Sequence, residues 1–136
     1  MSTIDTASTQ YAQATTTLAN LYTAIPLLRG SLVASVDGRV LVADLDESRQ
    51  GAAAAVVASG FALGGKLGEV IGTTTIEEMT VRTNEGFVCL FAVGERAVLA
   101  TLTMPDANLG LVNMRSREAA DHLAEIVPAL IQGTGP

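Results

Sequence analysis

The chain is poor in the residues that usually carry chemistry. It has one cysteine, one histidine and no tryptophan in 136 residues. A single cysteine, Cys89, excludes an intramolecular disulfide, and a reducing cytoplasm is the expected location. One cysteine and one histidine cannot build a Cys/His zinc site, so no metal or cofactor is expected. Charged residues make up only 16% of the chain, and its lysines and arginines form no cluster. With a net charge of −6, this argues against nucleic acid or anionic lipid as a partner. The N-terminus, MSTIDTAST, has no basic segment leading into an apolar run, so no secretory signal is read there, nor any lipidation signal.

What is abundant is small and apolar. Hydrophobic residues reach 49%, which argues against disorder and implies an apolar surface that meets a partner. Gly51 to Gly65 reads GAAAAVVASGFALGG, fifteen residues without a charge. A bilayer span needs about 20 apolar residues, so no membrane insertion is expected. The stretch is also too small-sided for an ordinary surface helix.

The first ten residues are Ser/Thr-rich and expected to be disordered. Residues 11–132 read as one domain, and 133–136 as a flexible tail. A helix is expected over Tyr11–Ala24, with Leu18, Leu21, Tyr22 and Ile25 as its apolar side and Pro26 ending it. Ser31–Val36 and Arg39–Asp44 read as a hairpin around Asp37-Gly38, a type I′ turn pair. The apolar segment then forms a helix to Ile71, stopped by Gly72. Three strands follow: Thr75–Thr83, Phe87–Val93 and Ala97–Thr103. In the first, a bulge or a later start near Glu77–Glu78 fits the phase of Met79. The other two are apolar on both faces, as central strands are. Asp106 or Asn108 can cap a last helix that Pro128 should kink or end. The order α-β-β-α-β-β-β-α, with strands in hairpins, predicts an α+β fold on an antiparallel sheet.

On a helical wheel the central helix has two apolar faces. Ala52, Val56, Gly60, Leu63, Leu67 and Val70 form a stripe assigned to the sheet. Ala54, Val57, Phe61, Gly65 and Gly68 lie roughly opposite and are assigned to a partner. A second copy of the chain would cover that face, and twofold symmetry would count the patch twice. The alternative is that the terminal helices, or a loop, cover it within one chain.

No catalytic constellation is legible. Gly60 to Lys66 fits the spacing GxxxxGK of a phosphate loop, but Leu67 stands where that loop needs Ser or Thr, and the residues lie inside a helix. His122 is read as a surface histidine and Cys89 as a small core hydrophobe. Glu77 and Glu78 are adjacent strand residues and point apart. Nothing assembles a nucleophile, a base and an oxyanion site, so the chain is not expected to be an enzyme.

Several segments together resemble the bacterial roadblock/dynein-light-chain domain. They are Gly30 to Gly38, the Ala/Gly-rich helix, Glu78-Met79-Thr80-Val81-Arg82, and Asp106-Ala107-Asn108-Leu109-Gly110-Leu111. The resemblance covers Leu28 to Val127. It implies a five-stranded antiparallel sheet with the central helix on one face and the terminal helices on the other. It also implies dimers formed through the central helix and the following strand, with Thr80 and Arg82 added to the interface set. Such dimers serve small Ras-like GTPases as activators (the MglB type that serves MglA) or as scaffolds, in some bacteria beside a sensor kinase. The partner would be a second copy or a related roadblock chain. The resemblance carries over no catalytic residue, and none of Arg39, Arg82, Arg96, Arg115 and Arg117 matches an arginine-finger motif. Two further classes remain open: a small-molecule sensor of PAS or profilin-like type, which needs a polar-lined pocket, and a purely structural subunit.

Overall fold

A computed structural model of the chain describes residues 3–134. Its elements are α1 (Thr3–Ala24), β1 (Leu28–Ser35), β2 (Val40–Asp44), α2 (Glu47–Gly68), β3 (Glu78–Thr83), β4 (Gly86–Val93), β5 (Ala97–Thr103) and α3 (Leu109–Thr134), with a 3-10 turn over Glu69–Ile71 prolonging α2. The five strands form one sheet in the order β2-β1-β5-β4-β3, and every neighbouring pair is antiparallel. The α+β order expected from sequence is therefore the observed one.

Alternation of side chains divides the sheet into two faces. Val33, Val42, Cys89, Phe91, Val93 and Leu99 point to one face, where Leu18 of α1, Ile25 just after it and Leu123, Ile126 and Val127 of α3 cover them. Leu32, Ala34, Leu90, Val98 and Ala100 point to the other, against Ala54 and Val57 of α2. Strands β4 and β5 are apolar on both sides because helices lie on both sides.

Several local expectations change. Helix α1 starts at Thr3 rather than Tyr11, since neither glycine nor proline occurs before Pro26. Its threonines fit because their hydroxyls donate back to carbonyls four residues earlier, Thr15 to Tyr11 at 3.0 Å and Thr17 to Gln13 at 2.9 Å. Tyr22 is exposed, not part of the apolar side. The first hairpin does not use a type I′ turn. Asp37 keeps a negative φ, Gly38 N–H donates to Ser35 O at 2.9 Å, and Gly38 alone is left-handed, φ +92°. This is the longer loop in which a type I turn ends on a glycine. Asn108 caps α3, its Oδ1 accepting from Leu111 N–H at 3.1 Å. Helix α3 then runs through Pro128 to Thr134, held by buried Leu130 and Ile131. The expected tail at 133–136 lies, from residue 135 on, outside the described residues, as do residues 1–2 of the N-terminal stretch.

Gly86 opens β4 with φ +143°, and a Cβ there would lie 1.8 Å from Thr103 O. Gly86→Ala is therefore expected to cost about 2–4 kcal/mol from backbone strain and overpacking, read as a fall in the urea midpoint. An unchanged midpoint would contradict this packing.

Candidate functional site

The two faces of α2 are exchanged relative to the expectation. Ala54 is 0% exposed and Val57 8%, and half-buried Phe61 packs on the same cluster as they do. These residues sit on the chain's own sheet, and so they are not the outward face. The outward face belongs to the stripe that had been assigned to the sheet. Val56 is 70% exposed, Leu63 60%, Leu67 62% and Val70 82%, with Ile71 beside them at 85%. At 100° per residue, positions 56, 63, 67 and 70 fall within about 60° of one another.

The physical reason lies in the small residues. Where the C-terminal half of the helix sits close to its own connecting loop, only small side chains fit. A Cβ on Gly64 would stand 2.5 Å from Ile76 Cδ1 and 3.2 Å from Met79 Sδ. One on Gly68 would stand 3.0 Å from Thr73 O, and one on Gly65 3.2 Å from Thr74 O. The glycines thus do mark close backbone approach, but the approaching backbone is the chain's own segment from Thr73 to Ile76. With the small-residue side turned inward, the larger Val56, Leu63, Leu67 and Val70 are left in solvent. Both stripes have helical spacing, and the glycines at 64, 65 and 68 separate them.

By length and composition, Glu47–Ile71 is 25 residues long and apolar enough to cross a bilayer, longer than the uncharged stretch alone implies. In this fold its inner side is seated on the sheet, and Lys66 and Glu69 pair at 3.7 Å on its exposed side. The GxxxxGK spacing lies wholly inside α2, away from any strand-to-helix turn.

The outward stripe runs out beside a sheet edge. Strand β3 pairs only with β4, so its outer N–H and C=O groups have no strand neighbour. Val81 on β3 is 41% exposed, and Thr80 and Arg82 are exposed on the opposite side of the strand. A Cβ on Gly64 would stand 3.2 Å from Met79 Sδ, so the C-terminal half of α2 lies next to this edge strand. An apolar helix face and an open strand edge therefore adjoin, and Thr80 and Arg82 belong to the edge.

One charge pair fixes that edge to the other layer. Arg117 of α3 donates through Nη2 to Glu78 Oε1 at 2.8 Å and through Nε to Oε2. The Arg117 hydrogen bond holds the Glu78 carboxyl below its ordinary value of 4.5. A depressed carboxylate contributes stability above its unfolded pKa and loses it as pH falls through the folded one. The melting temperature of Glu78→Gln should thus lie below wild type at pH 7, with the gap closing below about pH 4. An equal gap at pH 3 and pH 7 would contradict this.

Among the described residues no cluster of metal-binding groups lies near these surfaces. Burial pushes the Cys89 thiol up from its ordinary 9.0. Iodoacetamide at pH 8 is expected to leave Cys89 unlabelled in folded protein and to label it fully in urea. His122 is exposed on a groove of about 540 Å³ between α1 and α3, where Arg115 and Glu118 pair at 3.3 Å. Within the sheet-to-α3 layer, Thr101 and Ser116 share a buried hydroxyl hydrogen bond at 3.2 Å.

Comparison with known proteins agrees with this architecture. The chain is similar to an MglB with a tetrameric arrangement, at TM-score 0.80 and 23% identity over 89% of this chain and 92% of that one. MglB of Myxococcus xanthus aligns at TM-score 0.79 and 19% identity, over 88% of this chain and 98% of that one. A Roadblock/LC7 domain of Streptomyces avermitilis aligns at TM-score 0.78 and 17% identity, over 83% and 96%. No curated protein matches. The sequence profile of the Roadblock/LC7 domain matches residues 5–103, and the chain belongs to that family.

Proposed function

We propose that two copies of this chain, or this chain and a related Roadblock/LC7 chain, pair through the outward face of α2 and the β3 edge. We further propose that the dimer is a non-catalytic adaptor or regulator of a small Ras-like GTPase in the cytoplasm. The observation that carries the first half is the exposed stripe Val56, Leu63, Leu67, Val70 and Ile71 beside an unpaired strand edge. Each such side chain contributes about 1.5–3 kcal/mol on full burial, and a symmetric interface counts each one twice. This seam differs from the interface expected from sequence, since Ala54, Val57 and Phe61 serve the sheet and Gly65 and Gly68 serve the 73–76 segment. Thr80 and Arg82 are retained as edge residues.

Family membership supports the second half. A sensor kinase complex is a natural place for such a platform. The test is retention of a GTPase encoded nearby, loaded with GTP or with GDP, on the immobilised protein, together with its turnover rate. Selective retention of one nucleotide state is expected. No retention of either state would overturn the GTPase reading, and retention without a rate change would make the dimer a scaffold rather than an activator.

A further inference from the structure

We infer that a cavity at the uncovered end of the α2 side of the sheet is a recognition site for a carboxylate-bearing peptide segment of a protein partner, gripped by Arg29 and Arg49. The chain has eight cationic side chains. Four of them are ion-paired: Arg39 with Asp37, Lys66 with Glu69, Arg115 with Glu118 and Arg117 with Glu78. Of the remaining four, Arg29 and Arg49 line one cavity of about 410 Å³. That volume lies in the ordinary range for bound ligands.

The backbone around the cavity is specialised. Leu28 pairs with Thr103 and Gly30 with Leu102, so Arg29 is the extra residue of a β-bulge. A bulge re-aims a side chain out of the regular pleat. Gly30 leaves room for the β2–α2 connection, since a Cβ there would stand 3.0 Å from Asp44 O and 3.1 Å from Leu45 Cδ1. Gln50 Nε2 donates to Leu45 O at 2.9 Å and pins that connection, and Arg49 follows in the first turn of α2. The neighbouring carboxylates are Asp44, Asp46, Glu47 and Glu85, the last on the rim. Among the described residues none of them forms an ion pair with Arg29 or Arg49, and Asp46 instead accepts from the Ser48 hydroxyl at 2.5 Å.

The remaining wall decides the ligand class. Leu45 and the paired Val88 and Leu102 present half-buried aliphatic surface beside the two guanidinium groups. Arginine forks match carboxylates in a bidentate manner. An aliphatic wall beside them suits an acidic residue next to an apolar one in a peptide. Inorganic phosphate would engage only the arginines. A twofold contact through this site would set its arginines against one another, which selects against symmetric pairing there. The inference does not rest on the partner being a GTPase.

The test is a titration of the full-length ¹⁵N-labelled protein, followed by backbone amide shifts. The probe is an end-blocked heptapeptide alternating Glu and Leu. The controls are the same peptide with Lys for Glu, and sodium phosphate. Saturable shifts at Arg29, Leu45, Val88 and Leu102 are expected with the acidic peptide. Affinity should fall at least tenfold in the double variant R29Q/R49Q, whose exposed sites leave the fold and the amide spectrum otherwise unchanged. No saturable shift at these residues, an undiminished affinity in the double variant, or equal shifts from phosphate alone would each overturn the site. Loss of GTPase retention with peptide binding intact would overturn the GTPase reading and leave this one standing.

Discussion

Leu67→Glu combined with Leu63→Glu is expected to convert the proposed dimer into a folded monomer. Both side chains are about 60% exposed in the single chain, at 60% and 62%, and neither belongs to its buried clusters. Their replacement should therefore change monomer stability by no more than about 0.5 kcal/mol per site. At a symmetric interface the same change removes four leucines and brings four carboxylates together. Each lost leucine alone withdraws on the order of 1.5–3 kcal/mol. The dimer dissociation constant should rise at least about 1,000-fold, since about 1.4 kcal/mol is tenfold. Sedimentation velocity with circular dichroism separates the outcomes. A variant that stays dimeric with native ellipticity would remove α2 from the interface.

Val57→Asp is expected to act in the opposite manner, by unfolding the chain. Val57 is 8% exposed and packs with Leu32, Leu90 and Val98 in the layer between α2 and the sheet. The substitution removes a buried side chain and places a carboxylate where no cation waits. Together these cost about 3–5 kcal/mol, a large part of the 5–15 kcal/mol that holds a typical domain. Loss of the cooperative thermal transition, or a fall in its midpoint of more than about 10 °C, is expected. If Val57→Asp instead gave a stable monomer, Val57 would face a partner, as the helical wheel had suggested. The pair of variants thus reads out which side of α2 is which.

The element order was legible because it rests on strong local signals. Pro26 after an apolar stretch, Asp37-Gly38 between alternating strands, and Gly72 after a long apolar run each mark a boundary that the structure keeps. Strands β4 and β5 were legible as central because apolar residues occupy both of their alternating faces. The orientation of α2 was not legible from hydrophobicity, since both of its faces are apolar. The deciding quantity was volume: glycine at 64, 65 and 68 faces a segment that would crowd a Cβ. That segment, Thr73 to Ile76, comes back over the helix only once β3 is placed, a tertiary fact that no local window contains. The continuation of α3 through Pro128 is of the same kind, because Leu130 and Ile131 find the core only in the folded state. Arg29 was not singled out in the sequence either. Its role depends on a bulge set by the register of β1 on β5, and register is a property of the sheet.

The central claim is that the outward face of α2 is covered by a second copy of the chain. Sedimentation equilibrium of the unmodified protein at micromolar concentration tests it most directly. A mass of twice the 14.0 kDa chain, reached without a change in secondary structure on dilution, is the predicted result. A single species at 14.0 kDa across that range would contradict it and leave Val56, Leu63, Leu67 and Val70 without a partner.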